Sequence, residues 1–104
     1  MCVGAMGSCY CDMRGFLSFQ ILWLLAKKDM HGDGIAEEIK KRRGEKPKAG
    51  TLYPALRDLS EKGLITGKRS GKLIVYSLTK DGKRALSEAR AYFIRSFGDI
   101  LEKK

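Results

Sequence analysis

The sequence contains no apolar run long enough to cross a membrane. Its longest, residues 21–26, falls far short of the roughly 20 residues that a membrane-spanning helix requires. The N-terminus also lacks the basic start and long apolar stretch of a secretory signal. We therefore predict a cytoplasmic protein that has no membrane as a partner.

Residues with catalytic or metal-binding chemistry are equally scarce. His31 is the only histidine, and the chain has neither a glycine-rich phosphate loop nor a nucleophile motif. The acidic side chains fall on predicted solvent-facing surfaces beside basic ones, so no set of acid, base and nucleophile can be assembled. We predict that the protein is not an enzyme, has no catalytic or metal-binding residues and needs no cofactor. His31 precedes a predicted helix and is interpreted as a turn or capping residue.

Cysteine is confined to one end of the chain, at Cys2, Cys9 and Cys11. An odd number of cysteines clustered in this way excludes a disulfide framework. One interpretation is a short, poorly ordered extension over residues 1–12. The other is a redox- or metal-sensing tail that offers three soft ligands. The usual two-residue spacing between paired cysteines is absent, which favours the extension.

The charge of the chain is strongly unbalanced. It has 21 Lys and Arg against 12 Asp and Glu, a net charge of +9, in 104 residues of which 43% are hydrophobic. This composition predicts one folded domain with a modest core. The positive charge attracts polyanions, but membrane surfaces and acidic proteins would attract it as well as nucleic acid does.

The spacing of apolar residues predicts four helices and one β-hairpin. The third helix ends at Gly63, a suitable C-terminal glycine, and Pro54 is placed in its first turn. The predicted elements are, in order, a helix over 19–28 capped by Ser18, a turn over 29–32, a helix over 32–43, a basic connector over 44–48, a helix from Gly50 or Thr51 to Gly63, strands over 64–66 and 73–78, and a helix that follows the N-cap Thr79 and extends to Glu102.

The hairpin has a basic tip. A turn at Ser70 and Gly71 would place Arg69 opposite Lys72 and Ile65 opposite Tyr76. Two like charges facing each other cost stability, and a phosphate would remove that cost. A solubilising charge on an edge strand is the equally open alternative.

Two helices predict a homodimer. The first is apolar on nearly every side, so we expect a second chain to cover the part that its own core does not. The last would be about 35 Å long and carries an aromatic stripe that would otherwise face water. The predicted interface residues are Phe19, Leu22, Trp23, Leu86, Ala89, Phe93, Phe97 and Ile100.

The order of these elements is that of a winged helix-turn-helix. We predict a mainly helical fold with a small hairpin wing over 13–79 and a long dimerisation helix over 80–104. The third helix would enter the major groove of double-stranded DNA, where Arg57 could read a guanine. Tyr53 could instead pack on the domain flank, and the cations that end the second helix also suit its dipole. The predicted DNA-binding residues are Lys48, Gly50, Thr51, Tyr53, Pro54, Arg57, Lys68, Arg69, Lys72, Arg42 and Arg43.

Three short blocks stand out in the sequence, namely Met-His-Gly at residues 30–32, Gly-Thr-Leu-Tyr-Pro at 50–54 and Tyr-x-Leu-Thr-x-x-Gly at 76–82. On these blocks rests a resemblance to the PadR-type transcriptional regulators that covers most of the chain, about residues 13–86. It implies a dimer joined by the first and last helices, repression of transcription, and response to small apolar or aromatic effectors. The implied effector pocket would be lined by Trp23, Phe93 and Phe97, although the dimer core needs the same residues.

Two departures from the family pattern stand out. Asp33 follows the His-Gly pair where the family usually has a bulky aromatic residue. A single helix follows the wing, as in the short subgroup of the family.

The main alternative function is a winged helix that binds protein, since fold alone does not determine function. The basic residues predicted on one face favour DNA.

Overall fold

The computed structural model describes residues 13–102, with side chains described for 16–100. The cysteine-bearing extension predicted over 1–12 lies outside this part. None of the helices described is long and apolar enough to cross a membrane. The elements are α1 (Met13–Lys27), β1 (Met30–His31), α2 (Gly32–Arg43), α3 (Ala49–Glu61), β2 (Ile65–Ser70), β3 (Leu73–Leu78) and α4 (Lys80–Glu102). The predicted class, mainly helical with a small β-hairpin wing, is confirmed, and a third strand joins the hairpin.

Helix α1 lies at the centre of the fold. It starts at Met13, so the prediction that Ser18 caps it is wrong, and Ser18 lies inside the helix. Leu17, only 1% exposed, extends the buried side of α1 by a turn. The helix packs against α2, α3, α4 and β3. Its largely apolar surface is therefore covered mostly by its own chain. The apolar character of α1 thus gives no reason to expect a second chain, contrary to our prediction.

The segment before α2 forms a strand rather than the predicted turn. Met30 and His31 make β1, which pairs antiparallel with β3 at Tyr76 and Val75. The sheet therefore has three strands in the order β1-β3-β2. Two residues are too few to show the alternation by which a strand is recognised in a sequence. Strand β1 could not be predicted because it depends on a partner more than forty positions along the chain.

The β2–β3 hairpin, here called the wing, turns one residue later than predicted. Ser70 pairs with Leu73 and Ile65 with Leu78, and Gly71 has a φ of +64°. Arg69 therefore lies opposite Ile74, and the predicted opposition of two cations is absent. Moving the turn by one residue shifts each partner by two positions. Every side chain keeps its face, so alternation could not distinguish the two registers.

Helix α3 begins at Ala49, so Pro54 lies within the helix and not in its first turn. Pro54 cannot donate to the carbonyl of Gly50, four residues earlier, and the prediction that its missing amide costs nothing is wrong. The other end of the helix is as predicted, because Gly63 has a φ of +77°, which favours glycine.

Thr79 joins the end of α3 to the start of α4. Its Oγ1 accepts a hydrogen bond from the amide of Gly82 at 3.0 Å, which confirms the predicted N-cap. The same hydroxyl lies 2.7 Å from the carbonyl oxygen of Gly63 and 3.0 Å from that of Leu64, and the Thr79 amide donates to Leu64 at 3.1 Å. Helix α4 is thereby fixed to the segment between α3 and the wing.

Candidate nucleic-acid interface

Helix α3 presents a polar face to solvent because its apolar positions are anchored in the core. Leu52, Ala55, Leu56 and Leu59 are buried beneath it. Their spacing leaves the predicted contact residues outward. The exposed residues are Ala49, Gly50, Thr51, Tyr53, Pro54, Arg57, Asp58 and Glu61, and Asp58 pairs with Lys62 at 3.0 Å.

The cations of the wing lie on both of its faces. Lys68 and Arg69 are consecutive residues of β2, so their side chains point to opposite faces. Arg69 shares a face with Ile65, which is buried against the core, and Lys68 lies on the other. Our prediction that all the basic residues share one face is therefore wrong for the wing, because consecutive side chains of β2 alternate between its two faces in either register.

Five of the predicted DNA-contact residues have positively charged side chains that an anion can reach. No carboxylate in the part of the chain with described side chains forms an ion pair with any of them. All five are exposed. They are Lys48, Arg57, Lys68, Arg69 and Lys72.

Arg42 is occupied elsewhere. Its Nη1 lies 2.9 Å from the Glu38 carboxylate and donates to the Glu38 carbonyl at 2.8 Å. Hydrogen bonds from Arg42 and then Lys41 lower the pKa of Glu38. The Arg42 guanidinium also lies 5.2 Å from the ring centroid of Trp23 on α1. The structure thus does not support the prediction that Arg42 binds DNA, whereas Arg43, which is half-buried, remains a prediction.

A groove of about 190 Å³ separates α3 from the wing, and we call it the valley. Tyr53 forms part of its wall and packs on the start of α2, where a Cβ on Gly32 would lie 2.5 Å from the Tyr53 hydroxyl oxygen. Tyr53 is nevertheless 42% exposed, so it packs on the domain flank without losing access to solvent. The valley is lined by His31, Gly32, Asp33, Tyr53, Lys72, Leu73, Ile74 and Tyr76.

Two further valley residues are held in place locally. His31 is the N-cap of α2, because its Nδ1 accepts a hydrogen bond from the amide of Gly34 at 3.1 Å. This confirms the predicted capping role. Tyr76 is half-buried, and burial, followed by the proximity of Tyr53, raises the pKa of its hydroxyl. Tyr76 is therefore neutral at physiological pH and forms part of the lining of the valley.

Aromatic residues of α1 and α4 pack together in a cluster that shares no residue with the lining of the valley. The ring centroids of Phe19 and Phe93 are 5.7 Å apart, those of Phe93 and Phe97 are 5.1 Å apart, and those of Phe16 and Phe97 are 6.4 Å apart. An open groove of about 290 Å³ lies beside them. It is lined by Phe19, Gln20, Trp23, Arg90, Phe93 and Ile94. Of the predicted effector pocket, Trp23 and Phe93 line this groove and Phe97 does not.

The predicted dimer interface needs two corrections. Leu22 and Leu86 are 5% and 8% exposed because they belong to the core of the single chain, so a partner could hardly reach them. Ile100 is exposed, whereas Ala89 is half-buried. The interface prediction did not include three large side chains that are exposed on α1 and α4, namely Phe16, Tyr92 and Ile94. A helical wheel drawn for α1 from Met13 would have included Phe16.

Among the residues that the structure describes, no three His, Cys, Asp or Glu side chains lie close enough to hold a metal ion. The three cysteines fall outside that part, so the redox- or metal-sensing tail is not addressed by the structure.

Comparison with known proteins points to one family. Residues 21–88 match the model of the transcriptional regulator PadR-like family. A PadR family transcription regulator from Clostridium difficile is 29% identical, with a TM-score of 0.73 over 86% of this chain and 97% of that one. A PadR-like transcription factor from Bacteroides fragilis is 26% identical, with a TM-score of 0.74 over 88% and 92%. No curated protein matches the chain.

Proposed function

Because the chain belongs to the PadR-like family of transcriptional regulators, we propose that it is a cytoplasmic, sequence-specific DNA-binding repressor that acts as a homodimer. The observation that carries this proposal is the exposed face of α3 beside five cations that have no carboxylate partner in the described part of the chain. Such a surface meets the phosphates of a polyanion without first breaking ion pairs.

Each element of this surface has a separate role in the proposal. Helix α3 enters the major groove, where Arg57 contacts a guanine edge and Thr51 and Tyr53 donate to phosphates. Lys48 lies at the N-terminus of α3 and meets the adjoining backbone. The two faces of the wing place Lys68 and Arg69 against both sides of a neighbouring groove.

The C-terminal helix supports the homodimer. Tyr92, Ile94 and Ile100 are all more than half exposed on α4, next to the aromatic cluster shared with α1. Tyr92 and Ile94 flank that cluster on opposite sides of α4, and Ile100 lies on the same side as Phe93 and Phe97. An apolar surface of this width is stabilised when a second copy covers it. A two-fold dimer would then present two α3 helices to a pseudo-palindromic site.

The DNA-binding part is tested by selecting a duplex from a random-sequence library and measuring affinity by fluorescence anisotropy. Arg57→Ala should weaken binding to the selected duplex about 5- to 150-fold, corresponding to a lost contact of roughly 1–3 kcal/mol. Arg84→Ala is the matched control, since Arg84 pairs with Asp81 at 3.3 Å on α4. If Arg57→Ala kept full affinity, the role of α3 would be wrong. If no duplex bound, a protein-binding winged helix would replace the proposal.

The dimer is tested by analytical ultracentrifugation. Phe97→Asp would also disturb the aromatic cluster within a single chain, so Ile94→Asp is the sharper variant because Ile94 is 55% exposed. It should shift the mass toward the monomer, because it buries a charge at the interface. Ala91→Asp adds the same charge at an exposed position on the side of α4 opposite Phe93 and Ile100 and should leave the dimer intact. An unchanged dimer in Ile94→Asp would exclude this interface.

Repression requires its own measurement. Transcription in vitro from a promoter that carries the selected site should fall when the protein is added and stay unchanged with Arg57→Ala. A rise in transcription would identify an activator.

A further inference from the structure

The position of the valley determines what would cross it in a DNA complex. One wall is Tyr53 of α3, and the opposite side is formed by Leu73 and Ile74 of the wing. If α3 lies in a major groove and the wing in the adjoining minor groove, the strand that separates the two grooves passes between them. The valley therefore faces a sugar–phosphate backbone rather than base edges.

We propose that the valley seats one sugar–phosphate strand of DNA and that Asp33, at its edge, weakens this contact. The inference rests on the proposed function and deepens it, because it assigns a backbone site and a residue that opposes binding there. A residue that weakens the backbone contact would leave the affinity for DNA more dependent on the base contacts made by α3.

The side chains of the valley match a sugar–phosphate strand. Lys72 and Tyr53 are exposed residues whose ammonium and hydroxyl groups can donate to a phosphate. Leu73 and Ile74 are exposed apolar residues that can pack on the carbon atoms of deoxyribose. A cation, a hydroxyl donor and an apolar surface thus lie in one groove, as an alternating sugar and phosphate chain requires.

Asp33 is the exception in this set. Its side chain is exposed in the first turn of α2, and it forms no ion pair with Lys72 although both line the valley. A carboxylate near the N-terminus of a helix is stabilised by the helix dipole, which explains how α2 accommodates Asp33. Toward a phosphate in the valley, the same charge is repulsive.

The test measures affinity for a selected duplex and for a scrambled duplex. Asp33→Asn should tighten binding to both by about two- to fivefold, the scale of a surface charge interaction. Asp81→Asn is the matched control, because Asp81 is also an exposed first-turn carboxylate but lies on α4. It should change affinity much less, since distant charges are screened. Asp33→Ser repeats the measurement with a residue that also favours helix starts.

The cation on the opposite side of the site is tested by its salt dependence. Lys72→Ala should weaken binding to both duplexes and reduce the slope of log affinity against log salt by about 0.9, as expected for one lost phosphate contact. Lys83→Ala removes an exposed cation from the first turn of α4 and should leave the slope unchanged. An unchanged slope for Lys72→Ala would overturn the backbone seat.

A phosphate scan then locates the site. Single phosphates of the selected duplex are replaced by neutral methylphosphonates. The increase in affinity caused by Asp33→Asn should disappear when one or two adjacent phosphates are neutralised, and it should persist when any other phosphate is neutralised. A gain that persists at every position, or no difference between Asp33→Asn and Asp81→Asn, would overturn the inference while DNA binding itself stands. Absence of binding by the unmodified protein to any duplex would instead remove the proposed function.

Discussion

The ring and hydroxyl of Tyr53 occupy the space that a side chain on Gly32 would need. A Cβ at residue 32 would lie 2.5 Å from the hydroxyl oxygen and 2.9 Å from Cε1 of the ring. The orientation of an exposed residue on α3 therefore depends on the absence of a side chain at the first residue of α2. These two residues belong to two of the sequence blocks that carry the family resemblance, and the contact gives a physical reason for their combination.

Gly32→Ala should displace Tyr53 and weaken DNA binding. We expect a loss of about two- to tenfold, equivalent to one hydrogen bond of roughly 0.5–1.5 kcal/mol, measured by anisotropy on the selected duplex. Gly34→Ala is the control in the same helix, because its Cβ would meet Met30 and His31 only at 3.7 Å or more. Equal affinity of the two variants would show that Tyr53 does not need its present position.

Gly82→Ala should destabilise the whole domain. A Cβ at residue 82 would overlap the backbone carbonyl of Leu64, which cannot rotate away as a side chain could. We expect a loss of about 1–3 kcal/mol in the free energy of unfolding, the usual cost of overpacking, measured by urea denaturation.

Gly98→Ala, in the same helix, should not lower the free energy of unfolding. Its Cβ would meet only Ile94, at an ordinary 3.7 Å, and alanine is favoured over glycine in a helix by about 1 kcal/mol. A loss of stability in Gly98→Ala comparable to that in Gly82→Ala would contradict our account of Gly82.

Thr79→Val should also lower stability, by a different route. Valine keeps the shape of threonine but removes the hydroxyl that caps α4 and contacts the carbonyl groups of Gly63 and Leu64. The expected loss is about 1–2 kcal/mol in the free energy of unfolding. Thr66→Val, on the exposed side of β2, makes the same chemical change and should cost little. Thermal unfolding followed by circular dichroism distinguishes the two.

Arg42→Ala should alter the fluorescence of Trp23, the only tryptophan, because it removes a cation that lies 5.2 Å from the centroid of the indole ring. Affinity for the selected duplex should stay within about twofold, the effect of a surface charge that makes no phosphate contact. Arg57→Ala should show the reverse, with unchanged fluorescence and weaker binding. A large loss of affinity in Arg42→Ala would return Arg42 to the DNA-binding surface.

The features that the sequence determined by itself are those set by neighbouring residues. Thr79 predicts the start of α4 because a hydroxyl at that position caps the next amides. The spacing of Leu52, Leu56 and Leu59 predicts which face of α3 is buried, and therefore that Arg57 is exposed. These predictions need only local geometry, so no knowledge of the remaining chain was required.

The tertiary structure alone decided what depends on distant partners. Strand β1 exists because β3 supplies its hydrogen bonds, and the turn of the wing could move by one residue without changing the face of any side chain. Leu22 lies in the core rather than at an interface because the chain itself surrounds α1. Arg42 and Arg57 are equally basic in sequence, but Arg42 lies beside Glu38 and Trp23 while Arg57 has no carboxylate partner among the described side chains. The sequence determined the charges and periodicities, and the packing of the elements decided which of those charges remain exposed without a partner.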